Sequence, residues 1–298
     1  MFRFFVLSAF VFVNVFINAQ VKLINGDSLI EAGIQLHDEE KYEEAISLFE
    51  QVNPGDTTYY TALIEKANSL VALEKYKESI TLIKSILKKG TENKAMAFNL
   101  IGTAFDENGN ADSAIFYYKK GLEEFPYHAS LHYNLGVTLY HQENYEEAIK
   151  NFQEALYINP FHSNSHLYLG EIAVKRQMST KAFLSFGTYL AINPGNNQIL
   201  VILNNILLGN ADEYGEIDYK LDNSAFKELD LIINSRAALK DDFKSNIKVE
   251  APVVQQSELI LEMLEYKKGT GDFWMDFYVP FYTFVQKESF LSHLFIHC

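Results

Sequence analysis

Cysteine is nearly absent from this 298-residue chain. The only one, Cys298, stands at the last position, so no intramolecular disulfide can hold the fold and packing alone must do it. A thiol at a frayed end is also a poor place for a nucleophile. Proline occurs six times, and four of those residues, Pro54, Pro126, Pro160 and Pro194, recur near the ends of similar segments, so few elements are interrupted inside. Positive charge is short: 25 Lys and Arg stand against 39 Asp and Glu, a formal charge of −14. A surface of that sign repels phosphate backbones and anionic lipid headgroups, which argues against nucleic-acid and polybasic membrane binding.

Long hydrophobic runs are missing as well. The longest, residues 4–17, is broken by Ser8 and Asn14 and falls short of the ~20 apolar residues that a spanning helix needs. Arg3 precedes it and Asn18-Ala19-Gln20 follows, the tripartite pattern of a secretory signal with cleavage after Ala19. The expectation is an exported protein, periplasmic or extracellular, with residues 1–19 as its leader and no membrane association after cleavage. The alternative is an uncleaved anchor.

The usual signatures of catalysis are also lacking. There is no serine-centred elbow, no His-Glu-x-x-His and no metal-spaced cysteine pair. Gly269-Thr270-Gly271 has neither a further glycine nor a following Lys-Ser/Thr and reads as a turn, and no two of the 39 acids stand out as a dyad. No enzymatic activity and no cofactor are expected. His128 and His132 lie four apart, as do His162 and His166, so each pair shares a helical face and could approach a metal. No Cys or Glu at ligand spacing completes either pair, and packing is the expected role.

What is present is a repeat. Gly102, Gly136 and Gly170 are 34 residues apart, and each is followed twelve residues on by Ala114, Ala148 or Ala182. Four residues further come Tyr118, Phe152 and Phe186, and eight beyond those Pro126, Pro160 and Pro194. Between residues 131 and 162 the apolar positions Leu135, Leu139, Ala148, Ile149, Phe152, Ala155 and Leu156 recur at three- and four-residue steps. The polar break Gln142-Glu143-Asn144 divides them into two helices. Gly136 and Ala148 are small where the paired helices must approach, and Pro160 stops the second helix. Self-similarity at this period is the mark of a helical solenoid.

These residues resemble the tetratricopeptide repeat. Tyr133-Asn134-Leu135-Gly136, Asn144-Tyr145-Glu146-Glu147-Ala148, Phe152, Ala155 and Pro160 carry nearly the whole pattern. The unit at Gly170 has Tyr189 where a small residue is usual. Lys75-Tyr76-Lys77-Glu78-Ser79 and Lys41-Tyr42-Glu43-Glu44-Ala45 open two weaker units, with Ala67 in place of the glycine and Pro54 falling early. Phe98, His132 and His166 stand where the family places tryptophan. The resemblance spans about residues 26–196 and implies an all-α, right-handed helical solenoid of about five helix-turn-helix repeats. Residues 198–208 are expected to close it as a further helix, giving a solenoid over residues 26–208.

Residues 210–298 read as a smaller helical C-terminal region of unrecognised type. Residues 225–243 and 257–266 show helical periodicity, and the aromatic run at 273–284 is expected to be core.

In the family, first-helix positions line a concave groove. By resemblance these are Met96, Asn99, Thr103, Asp106 and Glu107 in one repeat and Ser130, Tyr133, Val137, Tyr140 and His141 in the next. Asn164, Leu167, Glu171, Val174 and Lys175 follow in the third. The mixture suits a protein or peptide partner held by apolar anchors and a few hydrogen bonds. The paired Lys and Asn of the family's carboxylate clamp are absent. Three alternatives stay open: a groove filled by the chain's own C-terminal region, an enzymatic domain within residues 210–298, and an oligomer paired through the apolar C-terminus.

Overall fold

The computed structural model describes residues 25–89, 93–208, 225–234 and 252–287. The expected leader at residues 1–19, the 235–243 part of one expected helix and Cys298 lie outside the described residues.

The solenoid is built from five helix pairs. They are α1 (Gly26–Asp38) with α2 (Tyr42–Phe49), α3 (Tyr59–Ala72) with α4 (Tyr76–Lys89), and α5 (Lys94–Glu107) with α6 (Ala111–Glu124). Then come α7 (Ala129–His141) with α8 (Tyr145–Ile158), α9 (Ser163–Lys175) with α10 (Ser179–Ile192), and the closing helix α11 (Asn197–Leu207). Every described element is helical or a turn, as the periodicity predicts. The second helices α4, α6, α8 and α10 all run 14 residues, whereas α2 runs only 8. Pro54 explains the difference: the chain leaves α2 early and turns through Asn53 and Asp56, whose side chains accept the Gly55 and Thr58 amides at 2.8 and 2.9 Å.

Each pair closes on one contact. A Cβ added to Gly136 would come within 2.7 Å of the Phe152 ring, so the ring lies directly on the glycine backbone. Gly33 meets Phe49, Gly102 meets Tyr118 and Gly170 meets Phe186 in the same way, each pair sixteen residues apart. In the second repeat Ala67 stands at the glycine's place and Ile83, buried like the rings, at the aromatic's. Ala45, Ser79, Ala114, Ala148 and Ala182 are fully buried on the second helices, and Ser79 ties the second repeat by donating to the Ala67 carbonyl at 2.8 Å.

The turn within each pair repeats too. Glu40, Glu74, Gly109, Glu143 and Gln177 all adopt left-handed backbone, with φ between 54° and 76°. The amide of the next residue reaches back five places, as from Asn144 to the Leu139 carbonyl at 2.9 Å, which ends the first helix in a Schellman turn.

Beyond α11 the described elements are α12 (Lys227–Asn234), α13 (Pro252–Met263), a π-helical turn Trp274–Tyr278 and α14 (Val279–Lys287). The expected helix at 257–266 begins earlier, where Pro252 takes the first helical position and needs no amide partner, and it ends at Met263. The aromatic run, expected to be core, is so only in part: Phe273, Trp274, Tyr278 and Tyr282 are buried, whereas Phe281 and Phe284, on the other face of α14, are exposed. The buried four share one apolar cluster with α8–α11 and pack on α10, whose residues 179–187 are buried without a break.

Candidate functional site: the inner face of the first helices

The first helices form the inner layer of the superhelix. α1 packs directly on α3, α3 on α5 and α5 on α7, while no pair of second helices makes comparable contact. Elements that stack more closely lie on the inside of a curve, so the face offered by α1, α3, α5 and α7 is the concave one, and ring contacts of Tyr168 with Tyr133 and Tyr140 join α9 to α7. Polar bonds run along it from repeat to repeat. His37 Nδ1 lies 2.9 Å from Ser69 Oγ, Asn134 donates to Asn99 Oδ1 at 2.9 Å, and Thr138 donates to Asp106 at 2.9 Å.

The fifteen groove residues named from the sequence fall on α5, α7 and α9, and none is fully buried. Met96, Glu107, Ser130, His141, Asn164 and Lys175 are exposed; the other nine are half-buried. Asn99 accepts from Asn134, and Thr103 hydrogen-bonds the Asn99 carbonyl and the Tyr118 hydroxyl. Those two hold repeats together more than they offer donors to a ligand.

Tyr133 and Tyr140 do come together, through a residue that the sequence pattern does not single out. Tyr168 lies 6.1 Å from Tyr133 and 5.0 Å from Tyr140, ring centre to ring centre, and stacks on Phe152 at 5.1 Å. His162 closes the far side of Tyr133 at 4.6 Å. The hydroxyls give the cluster a polar edge, and the half-buried Glu171 stands one turn beyond Tyr168 on α9. Burial pushes the Tyr133 phenol up to about 12, with the neighbouring Tyr168 and Glu171 adding to it, and raises Tyr140 and Tyr168 as well. All three rings therefore stay neutral at physiological pH. Tyr168 holds the place in its repeat that Asn134 holds one repeat earlier, where successive first helices touch, and that equivalence was the available signal.

The histidine pairs are committed elsewhere. His166 is fully buried; Nε2–H donates to the Pro160 carbonyl at 2.9 Å, so Nδ1 must accept from the Tyr278 hydroxyl at 2.7 Å. Burial holds its pKa down to about 4. His132 repeats the clasp on Pro126 at 3.0 Å, with Asn151 on its other nitrogen. His128 and His162 turn inward to Leu131 N–H and Ser165 Oγ. Among the described residues no group of three or more His, Cys, Asp or Glu is placed to hold a metal ion.

The C-terminal elements dock chiefly on α10. Trp274 Nε1 donates to Ser185 Oγ at 3.0 Å and Tyr282 to the Leu184 carbonyl at 3.0 Å, both on α10. Asp230 of α12 accepts the Thr180 amide at 2.6 Å, capping the start of α10, and the buried Lys181 reaches Asp272 at 3.3 Å and the Trp274 ring at 4.6 Å. With Tyr278 on His166 of α9 and Phe273 and Phe277 against Tyr157 of α8, the described part of the C-terminal region packs on α10 and the neighbouring ends of α8 and α9, and none of these contacts involves Tyr133, Tyr140 or Tyr168.

Comparison with known proteins agrees with this geometry. Residues 64–129 and 129–162 match two family models, each described as tetratricopeptide repeat. No curated protein sequence matches the chain. Among solved structures, a thermophilic tetratricopeptide-repeat protein of Thermus thermophilus is similar, with a TM-score of 0.50 and 19% identity over 61% of this chain and 99% of that one. A chain of the Cut9–Hcn1 hetero-tetramer of APC/C has a TM-score of 0.52 and 19% identity over 64% of this chain and 39% of that one. At such identity the likeness concerns fold alone. Residues 64–162 match tetratricopeptide-repeat models, and α1–α11 have the fold of a tetratricopeptide-like helical solenoid.

Proposed function

We propose that this is an exported scaffold whose concave face binds a protein or peptide partner, by shape and polar complementarity and without chemistry of its own. The observation that carries the reading is the tyrosine cluster of α7 and α9: neutral half-buried rings with polar tips, on the inner face, outside the docking contacts of the described C-terminal elements. Tyrosine suits binding centres because it joins a large apolar ring to a polar end and loses little side-chain entropy. On this reading residues 26–208 form the binding solenoid, and the described C-terminal residues, 225–234 and 252–287, brace its last repeat.

The test is recovery of the native partner from cell-envelope extracts. Tyr133→Ala and Tyr140→Ala should each weaken binding by ~1–2 kcal/mol, as expected of central anchors. Truncation after residue 208 is a poor comparison, because it would strip the apolar face of α10. Phe281→Ala with Phe284→Ala, two exposed C-terminal aromatics, is the better one. Loss of partner from that variant alone would move the binding surface off the groove.

Export rests on Arg3, the apolar run at 4–17 and Ala19. Amino-terminal sequencing of the protein from its native cells should read from Gln20. An intact Met1 in the membrane fraction would instead establish the anchor.

A further inference from the structure

The geometry points to a basic segment as the groove's ligand, with an arginine or lysine side chain of the partner laid across Tyr133, Tyr140 and Tyr168 and its charge met by Glu171. This rests on the groove reading above and narrows it to one chemistry.

The tyrosine cluster has rings on several sides and one carboxylate at its tip. Glu171 stands one turn beyond Tyr168 on α9, half-buried, and its negative charge raises all three phenols. It forms no ion pair among the described residues. A purely apolar ligand would bury that carboxylate without a counter-charge, which costs free energy. An anionic ligand would meet it directly. A guanidinium or ammonium satisfies both features at once, because the ring faces are negative and the carboxylate supplies the counter-charge.

The protein already uses this chemistry one helix away. The Arg176 guanidinium lies 5.9 Å from the centre of the Tyr145 ring and 2.9 Å from Glu146, and Tyr145 is itself edge-on to Tyr140 at 5.7 Å. Tyr145 thus has its cation and its carboxylate, while the inner three rings have the carboxylate alone. The approach has the right sign as well. Asp106 and Glu107 on α5 add negative charge to the inner layer, against the single exposed Lys175 one turn beyond Glu171 at the end of α9, and the whole chain carries −14, which favours approach of a basic segment.

The experiment uses the full chain and a short fluorescent peptide of alternating leucine and arginine, beside the same peptide with citrulline for arginine. Citrulline keeps the shape but loses the charge, with a carbonyl oxygen in place of one donating nitrogen. The arginine peptide should bind saturably, and the citrulline peptide about tenfold or more weakly. Glu171→Gln and Tyr140→Ala should each weaken the arginine peptide by at least about fivefold. Glu123→Gln, an equal loss of charge on α6 outside the groove, should leave its affinity unchanged. Equal binding of both peptides, lost in Tyr140→Ala, would overturn the basic class while leaving the groove reading intact. Arginine-peptide binding that Glu171→Gln, Tyr140→Ala and Glu123→Gln all leave alike would place the peptide on diffuse surface charge and overturn the site itself. Glu171→Gln changes one atom at a half-buried position, so circular dichroism should match the parent and its result can be read directly.

Discussion

Glutamate is a poor residue for left-handed backbone, yet Glu40, Glu74 and Glu143 all adopt it where the first helix of a repeat ends. The third repeat uses Gly109 at the same place, which shows what the turn prefers. For a residue with a Cβ this conformation costs roughly 1–2 kcal/mol, partly offset in a glycine variant by the freer unfolded chain. Glu143 is exposed, so little else depends on its side chain. Glu143→Gly should stabilise the protein by about 0.5–1 kcal/mol, seen as a rise of a few degrees at most in melting temperature. A fall would mean that the turn draws more from the glutamate side chain than from its backbone. The break at Gln142-Glu143-Asn144 is plain in the sequence, but the handedness of Glu143 is not, because three of these five places carry an acid and only one a glycine.

At the scale of the element, the helix pair is the unit, and its contact is small residue against ring. Gly136 under Phe152 and the buried Ala148 beside it could be inferred from their recurrence 34 residues away on either side. The first two repeats are less legible, because Pro54 shortens one and the other lacks both the glycine and the ring. Gly33 and Phe49 nevertheless make the same contact, and Ala67 and Ile83, buried in one apolar cluster, stand at the corresponding places. Spacing of sixteen residues, not residue type, is what the helix pair keeps constant within this chain. Ala148→Leu forces extra methylenes into this contact and should destabilise by ~1–3 kcal/mol, with helical content by circular dichroism retained until melting. A variant that melts like its parent would mean that residue 148 has room the structure does not show.

For the whole molecule, one buried histidine joins the solenoid to the C-terminal elements. His166 takes the family's tryptophan place, as Phe98 does two repeats earlier, but its Nδ1 accepts from Tyr278, more than a hundred residues on. Burial holds the His166 pKa near 4, against about 6.5 for an exposed ring. Between those two values the unfolded chain binds more protons than the folded one, so stability rises with pH across the window. It is complete above about 6.5 and is lost as the pH falls toward 4. At pH 5 the loss from this residue alone should be about 2 kcal/mol. His128 and His162, also held low by burial, act in the same direction. The melting temperature should therefore fall between pH 7 and pH 5, and fall less steeply in His166→Phe, which keeps a ring at this place without a titrating nitrogen. Parallel profiles for the two proteins would show that His166 is not held neutral by the fold.

The helix pairs, their period and the small residues at their contacts can all be read from the amino-acid order. These are local matters: a helix pair and its turn span about one repeat, so their packing constraints recur within a short window of sequence. The inner-face positions emerge by resemblance for the same reason. Folding in three dimensions was needed to settle how Tyr133, Tyr140, Tyr168 and Glu171 meet, since that contact joins the first helices of successive repeats. It was needed again to settle where the C-terminal elements dock. Asp230 capping α10, Trp274 on Ser185 and Tyr278 on His166 join residues 50 to 112 positions apart. No periodicity links those segments, so only the folded chain could bring them together.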